Sequence, residues 1–195
     1  MDFVDLRTVF ARLGNHPGDM GPQEAKMIYD CAMSRERGAR FLEIGAGMGR
    51  TTVILGTAAR NIGARLVVAH DNSWKDPQIV RWFDQAVRLH GLRDVVETEL
   101  VPPSDEFDLV LITGNYAADA LNIKTDGFVI QRQATRDVAN AQLLHDQRPH
   151  ISIWKMQPKP KGEIISAPAV SDGADEREQI VKPEQLVAVE VEKPS

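Results

Sequence analysis

The amino-acid sequence predicts an α/β fold: a mostly parallel sheet with helices on both faces, a C-terminal antiparallel hairpin and added N-terminal helices. Three observations predict it. From residue 39 onward, short apolar runs suited to buried strands alternate with helical patterns, as in proteins whose parallel sheet lies between helices. A glycine-rich stretch, "GAGMG" at 45–49, sits between the first such run and the helix after it. Near the end, "HISIWKMQ" and "EIISA" are separated only by "PKPKG". That link is too short for a parallel crossover, so the pair must run antiparallel.

Each element can be justified in order. Phe3, Leu6, Val9, Phe10 and Leu13 fall at helical spacing. "GNHPGDMGP" breaks the pattern with glycine and proline. A second helix is expected from Pro22 to about Arg37, with proline in its first turn and Ala25, Ile28, Tyr29, Ala32 and Met33 on its apolar face. "ARFLEI" predicts a strand, the glycine stretch a loop, and residues 50–61 a helix. "ARLVVAH" predicts a second strand, closed by Asp71. "DPQIVRWFDQAVRLHG" has Pro77 near its start and Gly91 past its end, which marks a helix. "DVVETEL", "FDLVLIT" and "DGFVIQR" predict the third, fourth and fifth strands, and residues 133–146 a helix before the hairpin.

The totals narrow the function. A chain of 195 residues, 43% hydrophobic, suits one domain with additions. A net charge of −5 offers no overall basic field for nucleic acid. Cys31 is the single cysteine, which excludes an intrachain disulfide and a thiol-rich zinc site. No apolar run approaches the roughly 20 residues needed to span a bilayer. The acidic start "MDFVDLRTVF" lacks a signal peptide's order. A soluble, cytoplasmic protein is expected. The composition also divides the chain: a helical cap over 1–37, the α/β domain over 38–167, and a disordered acidic tail over 168–195. "QLVAVEVE" within that tail could dock on a protein partner.

"FLEIGAGMGRTT" decides the ligand class. A P-loop needs G-x-x-x-x-G-K-[ST]; here the second glycine comes one place early and Arg50 replaces lysine. The dinucleotide fingerprint is G-x-G-x-x-G, and here the third glycine is again one place early. Glu43 would also repel a pyrophosphate. A carboxylate there suits a ligand with a positive charge and no phosphate. S-adenosylmethionine is such a ligand, with an ammonium, a carboxylate, a sulfonium and a ribose. Glycines let the backbone approach its aminoacyl part, and the next helix points its first N–H groups at a carboxylate. Asp71 stands at the end of the second strand, where an acid could grip both ribose hydroxyls.

These residues carry a resemblance. Glu43 with "IGAGMG" resembles motif I of the class I S-adenosylmethionine-dependent methyltransferases, "VVAHD" their second motif and "FDLVLIT" their fourth strand. The closing antiparallel hairpin is a further feature of that family, whose strand order is 3-2-1-4-5-7-6. The resemblance spans roughly residues 20–166. It implies a Rossmann-like methyltransferase domain and S-adenosylmethionine as cofactor. Glu43, Gly45, Ala46, Gly47 and Gly49 would line its aminoacyl side, Asp71 would bind the ribose, and Asn72 or Trp74 would border the adenine. Asp71 could instead simply cap the next helix, and Trp74 could be an aromatic packed on that helix.

Departures from the family shape the remaining expectations. The link between strands three and four is too short for a crossover helix unless strand three ends near Glu97. Glu99 and Asp105 are the adenine-side candidates there. Strand four ends in "TGNY". Metal-using O-methyltransferases have an aspartate where Thr113 stands, so no metal is expected. Thr113, Asn115 and Tyr116 would face the methyl acceptor. Residues 14–22 would form a lid, with His16 a candidate base. The acceptor expected is a small molecule or a peptide-like group, not nucleic acid. The alternative is a non-catalytic binding or scaffold module on the same fold.

Overall fold

The computed structural model describes residues 3–14, 16–69, 71–99, 105–114, 116–118, 121–133, 137–148 and 150–158. Helix α1 runs Leu6–Leu13 and α2 Pro22–Met33. Strand β1, Arg40–Ile44, leads through the glycine loop into α3, Arg50–Ile62. Strand β2, Arg65–Ala69, is followed by a 3-10 turn, Asn72–Lys75, and by α4, Pro77–Leu89. Then come β3 (Val96–Glu99), β4 (Phe107–Thr113), β5 (Ile123–Arg132), β6 (Ala141–Gln147) and β7 (Ile151–Met156).

Local chemistry sets the helix starts. Asp5 caps α1 by accepting from Thr8 N at 2.8 Å, and Asp76 caps α4 by accepting from Gln78 N at 2.8 Å. Pro22 and Pro77 occupy first-turn positions where a missing N–H costs nothing. In α2 the Glu24 carboxylate reaches back to Gly21 N at 3.0 Å. Helix α2 stops four residues short of Arg37, where the Ser34 hydroxyl donates to Cys31 O at 2.7 Å.

The seven strands lie in the order β3-β2-β1-β4-β5-β7-β6. All neighbours are parallel except those of β7, which runs antiparallel to both β5 and β6. This is the mostly parallel sheet with a closing antiparallel pair that the sequence predicts, but the pair uses other residues. Residues 133–146, expected to be helical, instead supply β6, and no helix lies among the described residues of that stretch. The segment "AQLLHDQ" favours a helix by propensity. Antiparallel pairing with β7 overrides that weak preference. Most of β6 is exposed, so no alternating pattern marked it as a strand. "EIISA" at 163–167, the expected partner of β7, lies outside the described residues, as does the tail at 168–195.

The helices are also distributed differently. All four described helices pack on one sheet face, in a core built with Phe41, Leu66, Val68, Leu109, Leu111 and Ile130. On the other face Leu42, Val67, Val110, Ile112 and Val129 form a second core, joined among the described residues by Ala118, Leu121 and Val138. Of the short link between β3 and β4, residues 105 and 106 are described, and neither is helical. Among the described residues no helix is long and apolar enough to cross a membrane.

Candidate active site

Side chains alternate along strands, so every second residue points to the helical face. On β1, β4 and β5 that face ends in polar residues. Glu43 follows Phe41, Thr113 follows Leu111, and Arg132 follows Ile130. Three neighbouring strands thus present polar groups where their apolar stripe stops, at the end from which the glycine loop departs. A cavity of about 530 Å³ opens there. Its floor is Gly45, Ala46 and Gly47, its far walls are Ser73 on the β2 side and Arg132 on the β5 side, and residues 17–20 cover it.

The glycine loop has a tight geometry. Gly45 has φ +82°, and a Cβ there would stand 2.5 Å from the Thr113 carbonyl oxygen, so only glycine lets the loop cross beside β4. Above Gly47 the space is open, with nothing within 4 Å of where a Cβ would be. Its peptide is held from both sides. Gly47 N donates to Asp71 Oδ2 at 2.9 Å, and Trp74 Nε1 donates to Gly47 O at 2.8 Å. Trp74 in turn packs on Phe83 of α4, with ring centroids 4.6 Å apart. The second oxygen of Asp71 accepts from Ser73 N at 2.7 Å and caps the 3-10 turn.

Glu43 is fully buried. One of its oxygens accepts from the Thr51 hydroxyl, and Oε2 has no partner. Burial pushes its carboxyl up to about 7, against the hydrogen bond from Thr51 and the positive charge of Arg132. Four of the residues lining the cavity also carry buried polar atoms without partners: Arg50 Nε, Ser73 Oγ, Thr113 Oγ1 and Arg132 Nε. Such atoms are costly unless something polar satisfies them.

The sequence-derived candidates divide by position. Gly45, Ala46, Gly47 and Thr113 line the cavity. Glu43, Gly49 and Asp71 lie directly behind that lining. Asn72 is exposed beside Ser73, which lines the cavity in its place. His16 holds the lid to the loop: its Nε2 donates to Met48 O at 2.8 Å, and its ring meets Trp82 edge-on at 5.7 Å. Neither His16 nor the exposed Tyr116 lines the cavity, and Asn115 lies outside the described residues. Asp105 pairs with Arg40 at 2.9 Å, at the opposite end of β1 from the loop, so it cannot reach an adenine there. The residues not foreseen are Arg50, Ser73 and Arg132. Arg132 had a signal: a cation two residues after the apolar run Phe128, Val129 and Ile130. Among the described residues no group of three acidic, histidine or cysteine side chains could hold a metal ion.

The arrangement is that of the class I methyltransferase fold. No protein-family model and no curated protein matches the chain; solved structures do. An RNA methyltransferase of Salinibacter ruber in complex with S-adenosyl-L-homocysteine is 16% identical, with a TM-score of 0.52, covering 74% of this chain and 98% of its own. A methyltransferase of Podospora anserina bound to the same molecule is 14% identical, with a TM-score of 0.56, covering 72% of this chain and 80% of its own. An S-adenosylmethionine-dependent O-methyltransferase of Thermotoga maritima is 11% identical, with a TM-score of 0.55, covering 79% and 72%.

Proposed function

We propose that the protein binds S-adenosylmethionine in this cavity and transfers its methyl group to a small-molecule or peptide-like acceptor. The observation that carries the reading is the open cradle above Gly47, ringed by buried polar atoms that lack partners. The chemistry of the donors fits a ligand without phosphate. Asp71 accepts one backbone N–H on each oxygen. A carboxylate at the end of β2 suits the hydroxyls of a ribose diol. Glu43, buried behind the lining with Oε2 unpartnered, would set a negative charge beneath an ammonium. The first N–H groups of α3 suit a carboxylate. The structures in complex with S-adenosyl-L-homocysteine support the reading by their fold.

Bound there, the cofactor would supply an electrophilic methyl group. The chain's own residues would position and shield. Gly45 brings the loop against Thr113, so the ends of β1 and β4 meet where the acceptor would approach. Residues 17–20 exclude water from above. No side-chain base is required if the acceptor is already nucleophilic, because alignment alone supplies a large part of the rate.

Titration calorimetry with S-adenosylmethionine and S-adenosylhomocysteine tests this. Micromolar binding is expected, weakened at least tenfold in Asp71→Ala. Tight binding of NAD or ATP instead would overturn it.

A further inference from the structure

The lid places one of its own carboxylates in a two-point grip at the end of β5. Asp19 Oδ1 lies 3.5 Å from Arg132 Nη2, and Asp19 Oδ2 accepts from Gln133 Nε2. Backbone geometry sets where the two partners stand. Gly114 N donates to Arg132 O at 2.8 Å, fixing the end of β5 against β4. Gln133 has φ +55°, a left-handed conformation that turns it out of the strand. Arg132 is 3% exposed, lines the cavity, and its Nε–H has no partner. Its contacts with Asp19 and Glu24, both 3.5 Å, exceed the usual 2.7–2.9 Å of a charge-assisted hydrogen bond. The guanidinium is therefore under-satisfied.

Its two counter-ions are not equivalent. Glu24 is mostly buried and already caps α2 through Gly21 N. It stays, and it keeps the buried cation from being left without any partner. Asp19 is 68% exposed at the rim and belongs to the covering segment. It can leave without exposing a buried charge of its own.

We propose that Arg132 and Gln133 form a carboxylate cradle for the methyl acceptor, and that Asp19 stands in for the acceptor's acid group. This rests on the methyltransferase reading of the cavity. Position supports the assignment to the acceptor. Asp71, at the end of β2, and Arg132, at the end of β5, are three strand spacings apart, about 15 Å. The cavity thus extends past the glycine loop to a second subsite beyond Thr113. A planar guanidinium and a side-chain amide match the two oxygens of a carboxylate.

The test uses full-length protein saturated with S-adenosylhomocysteine, whose own titration checks the underlying reading independently. Four pairs of probes are then titrated: acetate and acetamide, benzoate and benzamide, indole-3-acetate and its amide, and the dipeptide Ala-Ala with its C-terminal amide. The last pair separates a peptide terminus from a small organic acid. At least one acid should bind tenfold more tightly than its amide. Arg132→Met, still saturated with S-adenosylhomocysteine, should abolish that preference. Asp19→Ala, a rim substitution that should fold even if the Arg132 variant does not, should tighten acid binding threefold or more. The proposal is overturned if no acid outbinds its amide, or if the preference survives in Arg132→Met. It is equally overturned if Asp19→Ala leaves acid binding unchanged or weaker.

Discussion

At the scale of single residues, Glu43 shows how one buried group couples stability to ligand binding. Its folded-state carboxyl titrates near 7, well above the ordinary value of 4.5, because burial disfavours the charge. Below about pH 4.5 both folded and unfolded chains hold the proton. Between 4.5 and 7 the unfolded chain releases it first, so stability falls as pH rises through that window, by on the order of 3 kcal/mol in total. Above 7 the loss is complete. Glu43→Gln should therefore raise the melting temperature of ligand-free protein at pH 8 and change it little at pH 4.5, as thermal unfolding at both values would show. On the proposed reading, cofactor binding has the opposite sign. An ammonium needs the ionised carboxylate, so S-adenosylhomocysteine affinity should increase up to about tenfold from pH 6 to pH 8. The Glu43→Gln variant should show no such rise by calorimetry. Gly45 makes a second, purely steric prediction. Gly45→Ala meets a backbone oxygen at 2.5 Å in a left-handed conformation; a cost of about 2 kcal/mol or more is expected in urea unfolding.

Among the elements, one side chain adds hydrogen bonds to the apolar packing of the N-terminal helices on α3. Asn61 of α3 accepts from Val4 N at 3.1 Å and donates to Val4 O at 2.8 Å and to the Tyr29 hydroxyl of α2 at 2.9 Å. The Tyr29 hydroxyl donates to Val4 O at 3.0 Å. Asn61→Ala strands several of these groups, at a cost of about 1–3 kcal/mol. A lowered melting temperature together with faster proteolysis near residues 3–21 would confirm that α1 and the lid depend on this junction. Whereas α3 buries every residue from Thr51 to Ala59, apolar periodicity marked α1 and α2 well, because each buries one stripe. It marked β6 poorly, because an edge strand held by backbone bonds buries little and leaves no stripe to detect.

For the molecule as a whole, ligand linkage gives the broadest check. A ligand that binds only the folded chain stabilises it by about 2.7 kcal/mol at a hundredfold excess over its dissociation constant. S-adenosylhomocysteine should raise the melting temperature by several degrees, and NAD at equal concentration should not. The sequence alone determined the alternation of strands and helices up to β5 and the glycine turn with its flanking acids. Those features rest on local chemistry: hydrophobic period and backbone freedom at glycine. Tertiary structure alone decided which segment pairs with β7, that the described helices gather on one face, and that Asp19, Arg132 and Gln133 meet. Residues more than a hundred positions apart come together only when register and strand order are set. No local pattern encodes that meeting, because it depends on the packing of the N-terminal segment against the far end of the sheet.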